Sequence, residues 1–287
     1  MLEACNISFS YDGIKNVIGN LNLTVAPGER IGIYGANGSG KTTLSRLLAG
    51  LLEPCEGKVR IDGVETGSRG VANAWLGVAL VFQDPNDQIV ETRVDREIAF
   101  GLRNLGLKPK EIEERVGCCL NLLGIEKLRM RSCQSLSAGE KQLVNIASAL
   151  AMNPRYIILD EPTSLLDSNS RKFFFVALKS VLKTSGAGLV LISGRMEEIF
   201  FCKRVGLLDK GSFSFLGEKR DFLRYLVEDQ IELDGTTLLF TKIARVFPQA
   251  LDLISKEECL DPETTADCIE NLRRRMRKEW EEERLGD

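Results

Sequence analysis

The segment Gly35-Ala36-Asn37-Gly38-Ser39-Gly40-Lys41-Thr42 constrains this chain more than any other. It fits G-x-x-x-x-G-K-[ST], and its flanks are those the pattern needs. An apolar strand, Ile31–Tyr34, runs into it, and a helix leaves it with Leu44, Leu47, Leu48 and Leu51 on one face. Glycines let the backbone curl so that successive N–H groups converge, and the following helix adds the positive end of its dipole. Such a loop cradles a chain of phosphates. Lys41 offers a full positive charge to the β- and γ-phosphates, and Thr42, with Thr43 beside it, brings a hydroxyl to Mg2+.

The rest of the chain reads as alternating strands and helices. Leu2 to Tyr11 alternates like a strand, and Gly57–Ile61 and Leu76–Phe82 read as further strands. Two helical stripes follow, Ile98-Leu102-Leu105 and Ile112-Val116-Leu120-Leu123, then a helix from Ser137 to about Met152 that Asn153-Pro154 ends. Tyr156–Leu159 and Gly188–Ile192 are continuous apolar runs, the mark of strands covered on both faces. A helix over roughly Ser168–Thr184 separates them. Val205–Leu208 and Ser212–Leu216 form a hairpin around Asp209-Lys210-Gly211. The expectation is an α/β fold with a largely parallel sheet, interrupted by a helical insertion over about residues 92–153. Residues 1–216 form the nucleotide-binding domain, and 217–287 form a small helical C-terminal region. There, loop signals stand at Phe247-Pro248 and Asp261-Pro262, and a last helix carries Ile269, Leu272, Met276 and Trp280 on a stripe. That stripe suits either docking on the body or packing against a second subunit.

The second acidic feature of the site lies at the end of the run Tyr156–Leu159. Asp160 leaves a buried strand where Mg2+ needs a carboxylate, directly or through water, and Glu161 beside it suits polarising an attacking water.

Composition narrows the class. The 287 residues are 44% hydrophobic with a net charge of −3, a balance that argues against a dedicated nucleic-acid binder. The longest apolar run, around Ala74–Phe82, falls far short of the ~20 residues of a membrane-spanning helix. Met1 to Cys5 has no signal-peptide pattern. The eight cysteines are scattered with no C-x-x-C pair and read as reduced thiols. Together these point to a cytosolic protein, with any membrane contact made through a partner. There is no histidine anywhere, which removes every mechanism built on an imidazole base or ligand.

Further segments carry a family resemblance. Leu136-Ser137-Ala138-Gly139-Glu140 resembles the LSGGQ signature of ATP-binding cassette (ABC) ATPases, with Ala138 and Glu140 departing from it. Ser164-Leu165-Leu166-Asp167 resembles the D-loop, Gln83 the Q-loop glutamine, and Tyr11 the aromatic residue that stacks on adenine. The resemblance covers residues 1–216. It implies a P-loop NTPase core that binds ATP and Mg2+, with Thr42, Gln83 and Asp160 toward the metal and Glu161 catalytic. It also implies head-to-tail pairing, in which Ser137, Ala138, Gly139 and Glu140 serve the partner's nucleotide. Glu140 places a negative charge there, unfavourable unless hydrogen-bonded.

Gln83-Asp84-Pro85-Asn86-Asp87-Gln88, then Val94 to Ile98-Ala99-Phe100-Gly101-Leu102, is similar to the energy-coupling factor (cobalt-type) importer ATPases, as is Phe247-Pro248-Gln249 in the tail. That resemblance implies a peripheral subunit on the cytoplasmic face of the membrane. Its partners would be a second ATPase, a transmembrane transducer met by about Gln83–Arg96, and a substrate-binding membrane subunit for a vitamin or metal ion. The C-terminal region would mediate dimerisation. Where the family places a switch histidine, after Gly188–Ile192, this chain has Gly194 in Ile192-Ser193-Gly194-Arg195-Met196-Glu197-Glu198. The expectation is a slow site of its own, working in a heterodimer with a histidine-bearing ATPase. The alternatives are a nucleotide-binding structural subunit, or an ATPase of another ABC class.

Overall fold

The computed structural model describes residues 1–66 and 77–228. The expected C-terminal features beyond residue 228, including Phe247-Pro248-Gln249 and the stripe from Ile269 to Trp280, lie outside the described residues, as does the start of the apolar run at Ala74.

Ten strands are present among the described residues: β1 Leu2–Phe9, β2 Ile18–Val25, β3 Arg30–Tyr34, β4 Glu56–Ile61, β5 Val64–Glu65, β6 Val78–Val81, β7 Tyr156–Asp160, β8 Gly188–Ser193, β9 Arg204–Asp209 and β10 Ser212–Glu218. The helices are α1 Lys41–Leu48, α2 Val94–Asn104, α3 Pro109–Leu122, α4 Ala138–Ala151, α5 Ser168–Ser185, α6 Met196–Ile199 and α7 Lys219–Glu228.

The largely parallel sheet is present, and a second sheet accompanies it. One has six strands in the order β10-β9-β3-β8-β7-β6, parallel except for the antiparallel hairpin strand β10. The other is a four-stranded antiparallel sheet, β2-β1-β4-β5. β2 is missing from the sequence reading because Gly19, Asn20 and Asn22 interrupt its apolar pattern. Asn20 takes a left-handed φ of 47° and the β1–β2 register shifts nearby, yet Ile18, Leu21, Leu23 and Val25 all reach the core. Bulges of this kind re-aim side chains and hide the period of two.

The six-stranded sheet is buried on both faces, and the two faces sort alternate residues. Ile157 and Leu159 of β7, with Leu189 and Leu191 of β8, join the core under α2–α5. Tyr156 and Ile158, with Val190 and Ile192, join the opposite core with α1 and the antiparallel sheet. Period two explains the sorting, and two covered faces explain why both strands read as unbroken apolar runs. α1 contributes Leu44, Leu47 and Leu48, each fully buried; Leu51, expected on the same stripe, lies past the helix end and is 51% exposed. Three helices, α2, α3 and α4, fill the stretch between β6 and β7, as the insertion was expected to. α7 packs Phe222, Leu223 and Leu226 on Tyr34, Val205 and Leu207, so residues 217–228 lie against the body.

The β9–β10 turn ties the hairpin to the phosphate loop. Gly211 donates its N–H to the Ser39 carbonyl at 3.0 Å and accepts from the Gly19 N–H at 3.0 Å. Its φ is 84°, and a Cβ there would overlap the Val17 carbonyl oxygen. Gly63 has a similar φ of 81° with nothing within 4 Å of such a Cβ. Gly63→Ala is therefore expected to cost about 1 kcal/mol of stability for its backbone alone, and Gly211→Ala clearly more. Equal urea midpoints for the two variants would contradict the close approach at Gly211.

Candidate functional site

The phosphate loop runs from the end of β3 into α1. Lys41 is only 6% exposed, and its ammonium is held by the loop itself, donating to the Gly35 carbonyl at 2.8 Å and the Ala36 carbonyl at 3.1 Å. Its Nζ also stands 3.2 Å from Glu161 Oε1. Gly35 leaves no room for a side chain, since a Cβ would sit 2.5 Å from Ser39 Oγ and 2.8 Å from the Leu208 carbonyl. The Ser39 hydroxyl is buried with no hydrogen-bond partner among the described residues. The exposed Asn37 and Gly38 form the rim of the loop.

Asp160 ends β7, buried beneath α1, and its Oδ2 accepts from Ser45 Oγ at 2.9 Å. Its Oδ1 has no hydrogen-bond partner among the described residues. Burial pushes this carboxyl upward, opposed by the hydroxyls of Ser45 and Thr42. A buried carboxylate with a free oxygen is costly unless a ligand completes it. Thr42, Gln83 and Asp160 share the wall of one cavity of about 550 Å3, together with Arg46, Ser164 and Leu165. A hydroxyl, an amide and a carboxylate are all hard oxygen donors, so this set fits Mg2+.

Glu161 follows Asp160 with a φ of 47°, a left-handed backbone that is uncommon away from glycine and concentrates at functional sites. Its N–H donates to the Ile192 carbonyl at 2.8 Å, and the turn aims its carboxylate at Lys41. Gly194 faces it across the β7–β8 edge: a Cβ on Gly194 would lie 3.6 Å from Glu161 Oε1, in ordinary contact and with space to spare. Arg195 turns elsewhere. Its N–H donates to Ser193 Oγ and its guanidinium lies 3.8 Å from Glu198.

Tyr11 stands just past β1, 60% exposed, with its hydroxyl 3.2 Å from Thr43 Oγ1. Phe9 braces the ring edge-on at 4.9 Å, which leaves a face open for stacking. Asp167 caps α5, accepting from the Ser170 N–H at 2.9 Å, and these bonds hold its carboxyl below the usual range.

The signature segment opens α4 as a capping box. Ser137 Oγ accepts from the Glu140 N–H at 3.2 Å, and Glu140 Oε2 accepts from the Ser137 N–H at 2.9 Å. Glu140 is also 3.3 Å from Arg131 Nη1, so its charge is hydrogen-bonded and paired. Ala138 is the first residue of α4, and Gly139 lies where a Cβ would stand 3.0 Å from Leu166 of the D-loop segment. None of Ser137, Ala138, Gly139 and Glu140 lines the cavity that Thr42, Gln83 and Asp160 share.

With this geometry the comparisons decide the family. The family model for ABC transporters matches residues 18–164. The chain is an ABC transporter ATPase. It is 42% identical over 213 residues to the cobalt import ATP-binding protein of Syntrophus aciditrophicus, covering 74% of this chain and 76% of that protein. It is 37% identical over 228 residues to an energy-coupling factor transporter ATP-binding protein of Clostridium novyi, covering 77% and 81%. Among solved structures, CbiO1 of Clostridium perfringens, described as part of the ABC transporter complex CbiONQ, matches with TM-score 0.71 and 27% identity, covering 88% of this chain and 98% of that one. A dimeric ATP-binding cassette bound to ADP and Pi after hydrolysis matches with TM-score 0.69 and 27% identity, covering 76% and 98%.

The cassette also holds site residues that the sequence reading passed over. Ser45 lies one turn after Lys41, so the i, i+4 spacing put its hydroxyl on the same helix face; the signal was present but unread. Arg46 lines the cavity from the same helix, and Ser164 and Leu165, read in the sequence only as part of the D-loop segment, reach it through the folding together of distant segments. Lys41→Ala removes the loop's only full positive charge. Mg·ATP binding is expected to weaken at least about tenfold, or ~1.4 kcal/mol. Unchanged affinity by calorimetry would contradict this site.

Proposed function

We propose that this cassette is the ATP-hydrolysing subunit of an energy-coupling factor type importer for a vitamin or metal ion, paired with a second ATPase whose site carries most of the turnover. In this reading Tyr11 stacks on adenine. Gly35 to Gly40 and Lys41 hold the phosphates, while Thr42, Gln83 and Asp160 hold Mg2+. Glu161 polarises the attacking water and Asp167 fixes the D-loop. The metal, when bound, neutralises phosphate charge. Residues 137–140 complete the partner's site, and residues 217–287 contribute to dimerisation.

The observation that carries the reading is the glycine opposite Glu161. The charge that develops in phosphoryl transfer is stabilised by preorganised donors, and the loss of one costs about 10²–10³ in rate. Gly194 supplies none, and the neighbouring Arg195 guanidinium is turned toward Glu198, 3.8 Å away. The rival reading, a subunit that closes on ATP but barely hydrolyses it, rests on the same glycine. The finer assignment draws support from the cobalt-import and energy-coupling factor names of its relatives.

The membrane reading rests on the loop after β6. Gln142 donates to the Phe82 carbonyl at 3.1 Å and Asn145 to the Pro85 carbonyl at 3.0 Å, so α4 grips the segment that carries Gln83. Just beyond it, Asn86, Ile89, Val90 and Lys141 border a cleft of about 190 Å3. A partner seated there would move a loop that also lines the metal cavity. We assign this cleft to the transmembrane transducer, which in turn carries the substrate-binding subunit. Among the described residues no helix is long and apolar enough to cross a membrane; the peripheral place on the cytoplasmic face is part of this proposal and draws on the transporter names of its relatives.

In the reconstituted heterodimer, Glu161→Gln in this chain is expected to leave most ATPase activity. The matching change in the partner is expected to remove most of it, leaving the slow turnover of this chain's own site. The reverse pattern would refute the assigned asymmetry.

A further inference from the structure

The strand ends that frame the site are joined by a buried carboxylate to which no role has so far been given. Glu198, on the single turn α6, is 1% exposed. Its Oε1 accepts from the hydroxyl of Thr163, three residues past Asp160, and its Oε2 accepts from Ser193 Oγ at 2.8 Å. Thr163 is fully buried and Ser193 is 2% exposed, so all three groups are withdrawn from water. The Ser193 hydroxyl also accepts from the Arg195 N–H at 3.0 Å, which fixes the backbone on either side of Gly194. A fourth group closes the cluster. Arg171 of α5 lies 3.5 Å from Glu198 Oε1 and donates through Nη2 to the Leu166 carbonyl at 3.3 Å.

A carboxylate this deeply buried is unfavourable by itself, and burial pushes its acidity down against the pull of Thr163, Ser193, Arg171 and Arg195. Apolar residues would fill the same space at lower cost. What the polar cluster adds is register. Thr163 belongs to the turn that leaves β7, Ser193 to the end of β8, and Leu166 to the segment before α5. Glu161 lies between the first two with a left-handed φ of 47°, a backbone that needs its surroundings to hold it.

We infer that Glu198 is a positioning residue for ATP hydrolysis, clamping the β7 and β8 exits together through Thr163 and Ser193 so that the Glu161 carboxylate is held at the phosphate side of the site. Arg171 extends the clamp to the D-loop segment through the Leu166 carbonyl. The inference rests on the reading of Glu161 as the group that polarises water. Glu198 itself touches no reacting atom.

The test uses the full assembly with the partner's catalytic glutamate changed to glutamine, so that the remaining hydrolysis belongs to this chain. Thr163→Val keeps the shape and removes the hydroxyl, Thr163→Ser keeps the hydroxyl, and Glu198→Gln removes the charge. For Thr163→Val and Glu198→Gln, single-turnover hydrolysis is expected to fall about tenfold or more, with KM for Mg·ATP within about twofold. Thr163→Ser is expected to stay near the parent rate. Amide hydrogen exchange over residues 160–166 provides a second measurement that does not depend on turnover. It is expected to quicken in the first two variants and not in Thr163→Ser. Unchanged exchange and unchanged rate in Thr163→Val and Glu198→Gln would overturn the clamp, as would a Thr163→Ser variant as impaired as Thr163→Val. Glu161→Gln is the internal control. If it leaves this site's hydrolysis intact, the reading of Glu161 fails. If it abolishes hydrolysis while the clamp variants do not affect it, only the clamp fails.

Discussion

The parallel register of β3, β8 and β7 is the constraint on which the site depends. Tyr34 pairs with Ser193 and Asp160 with Ile192, so three strands end at one edge of the sheet. In open α/β sheets, ligands bind beyond the carboxyl ends of the strands. Here the phosphate loop leaves β3, the two acids leave β7, and the Ser193-Gly194 pair leaves β8 at the same level. A slip of one residue in any of these strands would turn its core side chains to the wrong face and carry its functional residue away from the edge. The apolar runs Tyr156–Leu159 and Leu189–Ile192 therefore do more than fill the core. They place Asp160 and Glu161 beside Lys41, and Gly194 opposite Glu161.

Polar groups at this edge are left incomplete in a manner that suits a ligand. The Lys41 ammonium rests on two loop carbonyls and the Glu161 carboxylate, while Asp160 Oδ1 and the Ser39 hydroxyl have no hydrogen-bond partner among the described residues. Buried polar atoms without partners are uncommon in folded proteins. A phosphate chain with its metal supplies what they lack. The signature segment behaves differently. Ser137 and Glu140 satisfy each other and Arg131 takes the remaining charge, so the end of α4 is stable without a ligand and open to one from outside.

Much of this was legible in the sequence, for identifiable reasons. The phosphate loop and the Asp160-Glu161 pair are contiguous, and their chemistry is written in adjacent residues. Gly194 was visible because its partners in the pattern, Met196-Glu197-Glu198, follow it closely and no histidine exists in the chain. What stayed hidden was non-local. The antiparallel sheet escaped because β2 carries Gly19, Asn20 and Asn22 and a register shift, so its alternation fails locally although its apolar residues reach the core. Leu51 matched the α1 period but lies beyond the helix end, because period alone does not mark a terminus. The cluster of Glu198, Thr163, Ser193 and Arg171 draws on three elements, and no spacing in the sequence announces it.

In the proposed function, Gly194 is the residue that makes this site slow. The replacement Gly194→His probes this, since a Cβ there would stand an ordinary 3.6 Å from Glu161 Oε1. The measurement is single-turnover ATP hydrolysis by rapid quench in the assembled heterodimer, with the partner's site silenced. The account predicts a rise of about tenfold or more toward the 10²–10³ that such a group contributes, at unchanged ATP affinity. A well-folded Gly194→His cassette that binds ATP normally and hydrolyses it no faster would contradict it.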